Sequence, residues 1–116
     1  MDITSATIGI TVSQLALSQL WYQAVFELDA PDLAPVDGIV EYEVGGIWIQ
    51  LNEEPDAPPA SGVVLRFGVS DVALEHTRLE LLGVDVSPIV HVDGAVDFFD
   101  LADPDGNTLS LYTVAS

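Results

Sequence analysis

The chain carries an internal repeat, and the repeat constrains the fold more than any single motif does. Val12-Ser13-Gln14-Leu15-Ala16-Leu17 is echoed about half a chain later by Val69-Ser70-Asp71-Val72-Ala73-Leu74. A second echo closes each half, where Gly46-Ile47-Trp48-Ile49-Gln50-Leu51 returns as Gly106-Asn107-Thr108-Leu109-Ser110-Leu111. Self-similarity of this length marks a duplicated supersecondary unit. Two copies in 116 residues make one domain of two pseudo-symmetric modules. The expected place for a ligand in such a domain is the cleft between the modules.

Each half reads as a strand, a helix and then more strands. Ile8, Ile10 and Val12 alternate with Thr7, Gly9 and Thr11, as in a half-buried strand. Leu17, Leu20, Trp21, Ala24, Val25 and Leu28 then recur at helical spacing, predicting a helix over 13–28 that starts at Ser13 and is ended by Ala30-Pro31-Asp32 and Ala34-Pro35. Strands follow over 38–44 and 47–51 around Gly45-Gly46, a hairpin signal. The second half repeats this: a strand over 63–69, a helix over 71–82 opened by Ser70-Asp71, and strands over 84–91, 95–102 and 108–114. The Pro- and acid-rich stretch between the halves reads as a linker. The expected organisation is therefore α+β, with module one over 4–52, a linker over 53–62 and module two over 63–115.

Composition excludes several functions. Nineteen acidic residues face two arginines, Arg66 and Arg78, and there is no lysine. Nucleic acid is an unexpected partner, because counterion release needs a basic face. The acidity reads as a self-repelling solvated surface, as the mark of a halophilic source, or as an acidic pocket for cationic ligands. No apolar run reaches the ~18 residues of a membrane span, and the start has no signal-peptide pattern. The absence of cysteine removes disulfides and thiolate ligands and points to a reducing cytoplasm.

In each half the helix should cover the more apolar sheet face. That face carries Ile8, Ile10, Val12, Ile47, Ile49, Leu51, Leu65, Phe67, Val69, Leu109 and Leu111. The opposite face then carries Thr7, Gly9, Thr11, Trp48, Gln50, Val64, Arg66, Gly68, Thr108, Ser110 and Tyr112, a mixture suited to lining a cup. Phe98 and Phe99 take opposite faces, so one of them lines the cleft.

The chain resembles the vicinal oxygen chelate superfamily, which includes glyoxalase I, extradiol dioxygenases and the fosfomycin- and bleomycin-resistance proteins. The resemblance spans essentially the whole chain. It is carried by Ala102-Asp103-Pro104-Asp105-Gly106-Asn107 with Leu109-Ser110-Leu111, by Trp21-Tyr22, and by Leu65–Asp71. It implies paired βαβββ modules whose sheets curve around a shared cleft, and a homodimer in which the 52–62 segment would permit module exchange. It also implies four metal-ligand positions in metal-using members, usually His or Glu. Here those positions fall at Thr7, Gln50, Val64 and Ser110, none of them a strong donor for a divalent metal. The expectation is thus a chain without a metal or other cofactor.

Arg66 stands out. A mid-strand charge must meet either a carboxylate, for which Asp100 is the internal candidate, or an anionic ligand. Trp48 offers a wall for stacking a planar ligand, or else a packing or dimer contact. His76 is expected to face solvent, and His91 would serve as a base or ligand only if turned inward. Asp29–Asp37 and Glu53–Asp56 read as solvated loops, and Asp103 and Asp105 as turn residues. No nucleophile–base–acid set is visible. The expectation is a metal-free small-molecule binding protein contacting its ligand through Thr7, Trp48, Gln50, Arg66, Ser110 and Tyr112, with no catalytic residue assigned. The alternatives are a lyase, isomerase or dioxygenase-like enzyme with a displaced metal site at His91, and a degenerate member serving as an oligomerisation or regulatory module.

Overall fold

The computed structural model describes residues 1–114 and forms two compact units, Met1–Ala60 and Ser61–Ser116. The first unit runs β1 (Thr7–Val12), α1 (Leu15–Phe26), β2 (Leu33–Val36), β3 (Ile39–Val44) and β4 (Ile47–Glu53). Its sheet has the order β1-β4-β3-β2, with β1 parallel to β4 and the other pairs antiparallel. The second unit repeats the programme with β5 (Leu65–Gly68), α2 (Val72–Leu81), β6 (Val90–Val92), β7 (Val96–Ala102) and β8 (Thr108–Val114). Its order, β5-β8-β7-β6, and its pairing directions are the same. The fold is α+β, with the duplication the repeat predicts and the βαβββ modules the resemblance implies. The expected end of module two at 115 lies outside the described residues.

Turn chemistry accounts for the hairpins. Gly45 and Gly46 both take positive φ, 56° and 87°, as a two-residue turn twisted to match its strands requires. The two helix starts differ. Asp71 caps α2, its Oδ1 accepting from the Leu74 N–H at 3.1 Å. In α1 the cap position is Gln14, not Ser13, and its side chain makes no capping bond. Glu53, at the end of β4, reaches back instead and accepts from the Leu15 N–H at 2.7 Å. A residue expected in a solvated loop thus ties β4 to the start of α1.

Three elements depart from expectation. Leu33–Val36, expected as a helix-ending loop, is an edge strand in which Pro35 is tolerated because one side of the strand is unpaired. The strand expected over 84–91 shrinks to Val90–Val92, preceded by a lone bridge from Val86 to Leu101, with Pro88 between them. Helix α1 buries Ser18, Tyr22 and Val25 against its sheet, while Leu17 and Leu20 stay 48% and 68% exposed. The buried side of the helix thus runs through Ser18 and Tyr22, and the apolar stripe read from spacing turns partly outward.

The cores follow the predicted alternation. In the first unit Ile10, Val12, Val40, Tyr42, Ile49 and Leu51 are buried with Tyr22 and Val25. In the second, Leu109, Leu111, Phe99 and Leu101 are buried with Val72 and Leu79. Among the described residues no helix is long and apolar enough to cross a membrane.

Candidate functional site

Strand register sets out the open face of the second sheet row by row. Arg66 pairs with Ser110, and Ser110 pairs with Asp100, so these three side chains share one row and one face. The next row holds Gly68, Tyr112 and Phe98. Phe99 points the other way, fully buried and edge-on to His76 of α2 at 4.9 Å. The aromatic that joins the open face is therefore Phe98.

Ser110 organises this face. Its side chain is 0% exposed, and its hydroxyl donates to the Phe99 carbonyl at 3.2 Å while accepting from Arg66 Nη1 at 3.1 Å. The Arg66 guanidinium carbon stands 5.7 Å from the centre of the Phe98 ring, a cation–π distance. The expected Arg66–Asp100 pair does not form: among the described residues no carboxylate lies within ion-pair distance of Arg66. Asp100 Oδ1 is instead buried without a hydrogen-bond partner. Arg66, Val96, Phe98 and Tyr112 wall a depression of about 460 Å³. Gly68 leaves room for the Tyr112 ring, which a Cβ there would approach to 3.2 Å.

The open face of the first sheet is chemically different. Its rows are Thr7–Trp48–Glu43, Gly9–Gln50–Glu41 and Thr11–Asn52–Ile39. Gln50 Nε2 donates to Glu41 at 2.6 Å, and Gln50 Oε1 accepts from Asn52 Nδ2 at 2.8 Å, so both ends of that amide are engaged. Trp48 is half-buried and Thr7 exposed. The structure thus places Thr7, Trp48 and Gln50 together on this face, and Arg66, Ser110 and Tyr112 together on the face of the second unit. Glu41, Asn52, Val96 and Phe98 join them. Alternation along β3 and β7 carried the signal for Glu41, Val96 and Phe98, but those strands had no register to anchor it.

The histidines lie elsewhere. His76 Nε2 bonds the Ser87 carbonyl at 2.8 Å and its ring rests on Phe99, so it is held in place rather than free in solvent. His91 stays on the exposed edge strand β6, where Nδ1 bonds Asp97 and Nε2 faces Asp93 at 3.6 Å. The hydrogen bond and charge of Asp97 raise the His91 pKa above its ordinary 6.5.

Residues 4–111 match the Glyoxalase/Bleomycin resistance protein/Dioxygenase superfamily, and the chain belongs to that family. It is 30% identical over 110 residues to the metallothiol transferase FosB of Bacillus licheniformis, covering 89% of this chain and 70% of that protein. Among solved structures it resembles a glyoxalase/bleomycin resistance protein from Catenulispora acidiphila, with a TM-score of 0.79 and 18% identity over 96% of this chain and 98% of that one. It also resembles the fosfomycin resistance protein FosX from Listeria monocytogenes, with a TM-score of 0.77 and 18% identity over 97% and 93% of the two chains.

These relatives correct one expectation. A protein 30% identical to this chain is a metallothiol transferase, so the reading of the chain as one that works without a divalent metal does not stand. The donors at the four positions implied by the family resemblance do not fit such an ion, and Thr7 brings only a neutral hydroxyl. Val64 offers none, Ser110 Oγ is committed to Arg66 and Phe99, and both ends of the Gln50 amide are engaged. Among the described residues no three His, Cys, Asp or Glu side chains converge to hold a metal.

Proposed function

We propose that the protein binds a small molecule on the open face of its second sheet, against Arg66, Phe98 and Tyr112, with Ser110 holding Arg66 in position. For the first unit taken by itself, Thr7, Trp48 and Gln50 share the open face of its sheet and are proposed as ligand contacts there. The observation that carries it is the depression of about 460 Å³, which combines two aromatic rings with a guanidinium that meets no carboxylate among the described residues. That volume falls within the range of small-molecule sites, which pair apolar walls with few polar anchors. The test is a fragment screen by NMR on ¹⁵N-labelled protein. Binding fragments are expected to shift the amides of Arg66, Phe98 and Tyr112, and Tyr112→Ala should weaken them about tenfold, as loss of a stacking wall does. Fragments that gather elsewhere and leave this face untouched overturn the proposal.

The 30% identity to a metallothiol transferase favours a second reading, thiol transfer to an electrophilic small molecule. Consumption of a low-molecular-weight thiol with such an electrophile, with divalent metal supplied, tests it directly. No turnover above the protein-free rate removes it.

A further inference from the structure

We infer that the second-unit face selects a carboxylate carried on an apolar, preferably aromatic, body. The inference rests on the small-molecule reading above and adds to it the chemical class of the ligand.

Arg66 is the anchor. A guanidinium has five N–H donors in a rigid fork that matches a carboxylate two bonds at a time. One nitrogen is spent on Ser110 Oγ, which is itself fixed by its bond to the Phe99 carbonyl. The Phe98 ring supports the guanidinium. The group is thus oriented before any ligand arrives, which lowers the entropic cost of binding. Its other donors meet no carboxylate among the described residues. That is unexpected in a chain with nineteen acids, and the contrast with Arg78, paired to Glu75 at 2.9 Å, is sharp. Even Asp100, in the same row, leaves a carboxylate oxygen buried and unpartnered instead of meeting Arg66. The remaining walls, Val96, Phe98 and Tyr112, offer carbon surface and aromatic rings to the body of the ligand.

A net charge of −17 would draw cations to this protein if charge alone decided. Over distances beyond about 8–10 Å that field is screened at physiological salt, so local chemistry decides. Preference for an anion is therefore a discriminating outcome.

Benzoate, benzamide and benzylammonium share one ring and differ in charge. Each is titrated at constant ionic strength and pH 7 into ¹⁵N-labelled protein, following the amides of Arg66, Phe98 and Tyr112. Benzoate is expected to bind on this face about tenfold or more tighter than the other two, as a charge-assisted fork should. Arg66→Gln should abolish that preference, and Arg66→Lys should keep only part of it. Arg66 is exposed, so the variants are expected to fold, and a thermal melt checks this. Benzamide or benzylammonium binding this face as well as benzoate overturns the anion preference and leaves the small-molecule reading standing. A benzoate preference that survives Arg66→Gln also overturns it. If all three probes leave the face untouched, the aromatic-carboxylate inference falls, and the fragment screen decides the small-molecule reading.

Discussion

Ser18 and Ser110 are both buried serines with opposite circumstances. The Ser110 hydroxyl both donates and accepts, whereas Ser18 Oγ is buried on the sheet side of α1 with no hydrogen-bond partner. An unsatisfied buried hydroxyl costs its desolvation and returns nothing, and serine is a poorer helix former than alanine. Ser18→Ala is therefore expected to stabilise the protein by up to about 1 kcal/mol, read as a rise in thermal midpoint with an unchanged fold. A fall of more than about 1 kcal/mol would mean the hydroxyl has a partner in solution. At this scale the sequence was partly legible. Period-two alternation put Arg66, Ser110 and Tyr112 on one face, because side chains cannot change face without a register slip. It could not show that Ser110 is turned toward Arg66, or that Asp100 is not, because those depend on rotamers and packing across three strands.

Among the elements, the Asp103–Asn107 turn is the most fully determined. Asp103 Oδ1 accepts from the Asp105 and Asn107 N–H groups at 2.9 and 2.8 Å, and its Oδ2 accepts from Asn107 Nδ2 at 2.9 Å. Asp103→Ala would strand buried donors and is expected to cost about 2–4 kcal/mol, measured by urea unfolding. A loss under about 1 kcal/mol would show that water replaces the carboxylate. The β6–β7 hairpin carries a pH dependence instead. His91 is protonated more readily in the folded hairpin than in the unfolded chain, through Asp97. Its contribution is therefore complete below the unfolded value of 6.5 and is lost as pH rises through the higher folded value. An NMR titration should place the His91 pKa above 6.5, and Asp97→Asn should return it toward that value. The start of α2 was readable because its cap is local. The start of α1 was not, since its N-terminal partner, Glu53, lies 38 residues away on another strand.

For the whole molecule, the duplicated order of elements was readable because both copies keep the same strand–helix–strand succession. The edge strand β2 was not, because its residues are exposed and carry no burial pattern to read. The acid excess makes a separate prediction. Self-repulsion destabilises a compact chain of charge −17, and salt screens it. The melting temperature should rise steadily as sodium chloride is raised to about 1 M, where the screening length is near 3 Å. A flat or falling curve would show that repulsion contributes little to stability. The positions of the two arginines also have a consequence for proteolysis. Trypsin has only two bonds to attack, one after Arg66 in β5 and one after Arg78 in α2. The first unit offers it none. Digestion therefore reports only on local opening of the second unit, and a ligand seated on Arg66 would register as protection of the first of those bonds.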